Sequence, residues 1–386
     1  MHRTAPWLAA PFRPFYLLGA GYAVLLMAVA GLGFAGVPPR AIFPLAWHGH
    51  EMVFGFAMAI VAGTLLTALP TWAGTAPMHG ARLALLAGLW LLGRAGGVVS
   101  SVQPAVPWFA VAAADAALPL AMMVLLAPQL ARLPQRRWRM VLVVLAAFAA
   151  ANVGWHAAFA AGDSAGASRA LRAALWVMVM LYTLAGGLFT PVFTANVLAE
   201  RGLPALAPRR WPLEAATVLL TLAAALADLA LAAPRPPAGA LAMAAAIAQA
   251  WRLARWRGWQ TRTDPLVWAM HAGFAWLVVA LVFAGATHFG WIEARASWQH
   301  AFTAGALGSM MLGLMTRVAL RHTGRAAAAP RWLPLALLAV SAATVLRLGA
   351  PWLGTAAWTA AALLWALAMA AWWLRFAGPL LRPSLP

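Results

Sequence analysis

Apolar segments about twenty residues long recur from one end of the chain to the other, and no interval between them is large enough for a soluble domain. Cutting at the Pro, Gly and Arg clusters gives twelve, at about 15–36, 47–69, 82–101, 107–129, 138–160, 170–198, 212–232, 237–254, 265–285, 297–319, 331–349 and 353–377. Each is close to the roughly 20 residues that carry a helix across a bilayer. The expected fold is therefore all-α, a polytopic integral membrane protein of about twelve transmembrane helices in a single domain, 1–386. Composition agrees, since a chain that is 64% hydrophobic and 9% charged has far more apolar surface than a soluble core could hide. The first apolar run follows arginines as a signal peptide would. It is too long for one and leads straight into further spans, so it is expected to be an uncleaved first helix.

A net charge of +19 would suggest nucleic acid in a soluble protein. In a membrane protein the better explanation is positive charge held on one face. Most arginines do fall in loops on the side of the N-terminus, among them Arg132, Arg136, Arg137, Arg139, Arg209 and Arg210. The expected placement is a membrane with both termini cytoplasmic and a lipid bilayer, not nucleic acid, as partner. The chain has no cysteine, which excludes disulfides, thiolate-ligated haem, iron–sulfur clusters and covalent haem attachment.

Ligand-type residues gather in the second segment, which begins LAWHGHEMVFGF at Leu45. His48, His50 and Glu51 at the mouth of an apolar helix are costly to place and point to a metal or haem site. Residues two apart on a regular helix diverge by about 200°. Either the chain is still extended at His48 or the two imidazoles serve different centres. His300 begins the tenth helix at the depth where His50 begins the second, so the two rings are candidates to clamp a haem iron from facing helices. Asn152 and His156 are four apart on the fifth helix and share a face, as a ligand and its orienting amide would.

On the inner side, His271 sits inside the ninth helix and His322 just beyond the tenth. With Asn196 and Arg317 they suit a proton or anion path or a second cofactor. Arg94 and Asp115 lie about equally far from the turn between the third and fourth helices, which predicts a structural ion pair across that hairpin. Glu214 and Asp228 in the seventh helix have no evident partner in sequence.

An internal echo links the second and tenth helices: His50, Gly55, Ala59, Gly63 against His300, Gly305, Ser309, Gly313. Small residues at every fourth position let a backbone or a flat macrocycle approach closely. The sixth helix has a related run, Ala185, Gly186, Gly187 and Thr190. These spacings fit three repeats of four helices, at 1–130, 131–260 and 261–386.

With these residues in view the chain resembles the NnrS family. The matching pieces are PFRPFYLLGA (11–20), LAWHGHEMVFGFAMAIVAGTLLTALPTWAG (45–74), NVGWHAA (152–158), AGGLFTPVFTAN (185–196), MHAGFAWLV (270–278) and QHAFTAGALGSMMLGLMTRVALRHTGR (299–325). The resemblance implies a bacterial inner-membrane protein with b-type haem and copper that belongs to nitric oxide metabolism or nitrosative stress resistance. It makes His48, His50, His156, His271, His300 and His322 candidate cofactor ligands, with His48, His50, Glu51 and His300 as the metal set. Nitric oxide is the implied ligand, an electron donor the implied partner, and a reductase-like oxidoreductase one form of the activity. Arg40, Arg169, Arg172 and Arg295 would then be placed to hold haem propionates. Haem-copper oxidases also use twelve helices, with haem ligands on the second and tenth. This chain lacks their copper-ligating histidines on the sixth and seventh. The alternative class is a transporter or channel for a metal or small anion with a histidine-lined path. It predicts no haem bands in an optical spectrum.

Overall fold

The computed structural model describes residues 5–36, 45–103, 105–230, 235–294, 296–326 and 328–385. The chain is 84% helical with twelve long helices, eleven of them long and apolar enough to cross a membrane, and no strand among the described residues. In chain order these are α1 (Phe12–Phe34), α2 (from Leu45, spanning Trp47–Ala73), α3 (Gly80–Val102), α4 (Trp108–Ala131), α5 (Met140–Ala160) and α6 (Ser164–Glu200). Then follow α7 (Trp211–Ala230), α8 (Pro236–Arg255), α9 (Pro265–His288), α10 (Ala296–His322), α11 (Leu333–Leu353) and α12 (Thr355–Leu381). The polytopic all-α expectation is met, and the twelve helices match the twelve apolar segments one for one.

Local signals set the ends. At the start of α9 the Asp264 carboxylate accepts from the backbone N–H groups of Leu266 and Val267, with Pro265 in the first helical position. That is the expected use of orphan donors at a helix N-terminus. The α2 helix stops at Gly74, which takes a left-handed φ of 71° and donates to the Pro70 carbonyl. The helix short of spanning character is α8, whose buried face is small: Ala238, Gly239, Ala242, Ala245 and Ala246. It compensates by close approach. A Cβ on Gly239 would lie 3.1 Å from the Gly285 carbonyl of α9, and the reverse contact is equally tight.

The chain packs as two compact units: Met1–Val177 with Val318–Ala326 and Trp372–Pro386, and Met178–Arg317 with Ala327–Ala371. In the first, α1 lies against α2 where a Cβ on Gly19 would meet Ala59 and one on Gly63 would meet Phe15 and Tyr16. The buried guanidinium of Arg13 donates to the carbonyls of Leu380 and Arg382 and to the hydroxyl of Ser384, tying the end of α12 to the start of α1. In the second unit, Asp228 of α7 and His288 of α9 lie 3.1 Å apart, with the backbone N–H of Arg235 donating to the other ring nitrogen.

Three helices change winding midway. The α2 helix becomes a π-helix over Glu51–Ala57, α10 over Ala301–Leu307 and α6 over Tyr182–Gly186. A wider turn leaves carbonyls without their usual partners, which apolar surroundings make expensive. Side chains from other helices fill them. Trp90 donates to the Gly55 carbonyl, Arg252 to that of Thr183, Trp365 to that of Ala304 and Tyr182 to that of Ala306. The spacing echo noted in the sequence thus has a backbone counterpart, since the π segments of α2 and α10 both begin one residue after a histidine.

Candidate metal centre

The first unit holds a buried polar cluster drawn from five helices: Tyr22 of α1, His50 and Glu51 of α2, Arg94 of α3, Asp115 of α4, and Asn152 and His156 of α5. Its histidine arrives by an ordinary helix. Residues 45–50 are already α-helical, so an extended chain at His48 is not the arrangement here. His48 and His50 therefore point in different directions.

Asp115 is the hub. Its Oδ1 accepts from Nη2 of Arg94. Its Oδ2 lies 3.0 Å from Nε2 of His156 and 3.1 Å from Nε2 of His50, and accepts from Nδ2 of Asn152 at 2.9 Å. The shared face expected of Asn152 and His156 is what lets both reach one carboxylate oxygen. His50 and Glu51 are each only 2% exposed. Ligand atoms of His50, Asp115 and His156 all lie within 4.8 Å of one another.

Glu51 stands on the other edge of the His50 ring. Its Oε1 is 3.0 Å from Nδ1, while its Oε2 accepts from Tyr22 at 2.5 Å and from Nη1 of Arg94 at 2.5 Å. The sequence reading put Glu51 in the metal set. In the structure its two carboxylate oxygens are shared among the His50 ring, the Tyr22 hydroxyl and the Arg94 guanidinium. Arg94 and Asp115 are paired across the α3–α4 hairpin, yet the same pair anchors the cluster that holds both histidines.

Two glycines make room. A Cβ on Gly55 would stand 2.7 Å from Nη1 of Arg94 and 2.8 Å from the Tyr22 ring; one on Gly93 would stand 2.9 Å from Cα of Asp115. Neither space exists to spare, so the two glycines set how closely α2, α3 and α4 approach.

The remaining candidates are not among the residues of this cluster. His300 belongs to the second unit, where its Nδ1 lies 2.8 Å from the Ala296 carbonyl. That contact leaves the ring lone pair on Nε2, the tautomer an axial ligand needs. His271 is 2.9 Å from the Thr194 hydroxyl at its Nε2, and a Cβ added to Gly258 would collide with the rest of the ring. His322 is exposed at the end of α10 with its ring 5.6 Å from Phe12, and Asn196 is exposed on α6. The Arg317 guanidinium sits 4.0 Å over the Phe193 ring. Arg169 is exposed and Arg172 half-buried, while Arg40 and Arg295 lie outside the described residues.

Sequence reasoning missed three participants. Tyr22 gave no signal beyond a hydroxyl inside a span. The partner of Glu214 is Arg252, at 2.5 Å, beside the π segment of α6. The partner of Asp228 is His288.

The fold and the cluster define a class: an all-helical, polytopic membrane protein with a buried histidine–carboxylate cluster between its spans. Within that class the chain belongs to the NnrS family, whose family model, described as NnrS protein, matches residues 6–384. No curated protein matches the chain.

Proposed function

We propose that this is a haem- and copper-binding protein of the bacterial inner membrane, with cytoplasmic termini, that binds nitric oxide at a histidine-ligated metal near the periplasmic face. Family membership supports the nitric oxide role, and the arginine asymmetry supports the orientation. The observation that carries the reading is the convergence of His50, His156 and Asp115 in a buried setting. Two imidazoles and a carboxylate, with no thiolate anywhere in the chain, suit copper, zinc or non-haem iron. Bound there, copper supplies a one-electron centre with affinity for nitric oxide. The chain's own residues hold the ligands in register: Glu51 fixes the His50 ring, Asn152 and Arg94 fix Asp115, and Trp155 at 4.1 Å covers the His50 ring face.

The haem expectation divides. His300 has the tautomer for axial ligation. At His50 the contact of Nε2 with Oδ2 of Asp115 at 3.1 Å favours a small ion over haem at that ring.

The test is anaerobic addition of nitric oxide to the reduced, purified protein in detergent. Shifts in the optical and electron paramagnetic resonance spectra are expected, and a nitric oxide electrode separates simple binding from reduction to product. A preparation with neither metal nor haem and no response to nitric oxide would refute the reading and favour the transporter class.

A further inference from the structure

The loop from α6 to α7 and the loop from α8 to α9 both belong to the second unit and are folded against each other. Arginine makes the join. Arg201 donates to the Gln260 carbonyl at 3.2 Å, Arg257 to that of Ala205 at 3.2 Å and Arg255 to that of Pro208 at 2.7 Å. Arg257 takes a left-handed φ of 53°, uncommon for a residue with a side chain, and its Nε and Nη2 both donate to the side-chain oxygen of Gln260. These guanidinium groups bond neutral oxygens, which leaves their charge uncompensated. Arg209, Arg210 and Arg262 are exposed in the same two loops. The acids of this stretch offset little of it. Glu214 is paired with Arg252, Asp264 caps α9, and Glu200 is the exposed carboxylate.

Tryptophan marks the depth. Trp211 follows Arg210 and is 78% exposed, and Trp259 lies between Arg257 and Arg262 at 61%. Large exposed indoles at the ends of spans sit at headgroup level, so the arginines around them are level with lipid phosphates. We infer that these two loops form a binding site for an anionic phospholipid whose headgroup carries two phosphates, as that of cardiolipin does. The arginines fall into two groups. Arg209, Arg210 and Arg255 gather at Pro208, and Arg201, Arg257 and Arg262 gather at Gln260. The carbonyls that receive Arg257 and Arg255, on Ala205 and Pro208, are separated by at most about 11 Å of chain. Two phosphates joined by one short linker answer both groups, whereas a single phosphate leaves one unanswered. None of these residues belongs to the histidine–carboxylate cluster, so the site goes beyond the metal reading and does not depend on it.

The experiment delipidates the full-length protein in detergent and titrates it with defined lipids by native mass spectrometry. Wild type is expected to bind one cardiolipin per chain, roughly 10-fold or more tighter than phosphatidylglycerol, with phosphatidylethanolamine weaker still and all binding falling as salt rises. At roughly fivefold per arginine, Arg262→Gln should cost about fivefold and Arg209→Gln with Arg210→Gln about 25-fold. Arg132→Gln, at an exposed arginine of the first unit, removes the same charge and should cost nothing. Size exclusion and circular dichroism check that each variant is folded. Inorganic phosphate in large excess should not displace the lipid. Equal affinity for cardiolipin and phosphatidylglycerol would overturn the two-phosphate site, and displacement by phosphate would assign it to a soluble anion instead. A loss in Arg132→Gln equal to that in Arg262→Gln would reduce the effect to net charge. Metal and haem content play no part in the readout, so each of these failures leaves the proposed function standing.

Discussion

Replacing Arg94 by Gln tests how far the cluster is removed from water. Arg94 is the cation between two buried carboxylates, donating to Oε2 of Glu51 at 2.5 Å and to Oδ1 of Asp115, with its guanidinium 5.9 Å from the Trp90 ring. Removing one member of a buried ion pair costs about 3–5 kcal/mol, because the remaining charge stays desolvated and unpaired. An exposed pair costs about 1 kcal/mol or less. The difference is a factor of roughly 30 or more in the unfolding equilibrium at 1.4 kcal/mol per tenfold. Unfolding in mixed dodecylmaltoside and sodium dodecyl sulfate micelles, followed by tryptophan fluorescence, would measure it. Arg94→Lys should fall between wild type and Arg94→Gln, since an ammonium cannot reproduce the guanidinium fork that spans both carboxylates. Adding Asp115→Asn to Arg94→Gln should recover part of the loss by removing one stranded charge. A cost under about 1 kcal/mol for Arg94→Gln would show that water reaches the cluster, and the charge argument would fail.

Gly258→Ala would place a methyl group inside the space of the His271 imidazole, for an expected cost of about 1–3 kcal/mol in the same unfolding assay. His271→Gln should leave copper and haem content unchanged by elemental analysis and pyridine haemochrome assay, because its ring is enclosed by Thr194 and Gly258. Trp90→Phe strands the Gly55 carbonyl and should destabilise by about 1–3 kcal/mol, and a value near zero would mean the π turn of α2 finds another donor.

Much of this molecule could be read from residue order, and the parts that could not share a cause. Segment length and arginine placement report on single helices against the bilayer, so all twelve long helices were found to within a few residues, apart from α6. That helix starts at Ser164 rather than near 170 because its first turn is polar and rests on Asp163, whose carboxylate accepts from the Gly166 N–H. Periodicity of apolar residues cannot see such a turn. For the candidate site, His50, Glu51, Asn152 and His156 were each conspicuous, but their joint partner was not. Asp115 was assigned to Arg94 alone, since hairpin geometry predicts one neighbour and says nothing of α2 and α5 meeting the other carboxylate oxygen. The same hairpin logic, applied to α7 and α8, would have found Glu214 with Arg252, which lie at similar distances from their turn. Tyr22 had to wait for the packing of α1 on α2.

The three π segments separate scaffold from chemistry. Each leaves a carbonyl that only a donor from another helix can satisfy, so each is stable in the packed bundle rather than in the isolated span. In α2 and α10 the residue before the π segment is His50 or His300, but in α6 it is Leu181. The irregular turn therefore does not depend on a ligand. It exists with an apolar residue at that place, and its widened backbone lets a guanidinium approach, as Arg94 does at Gly55 and Arg252 at Gly187. A histidine at that place is an addition to a backbone device already present. What makes the α2 copy a candidate metal centre is the carboxylate hub brought by α4 and the second imidazole brought by α5.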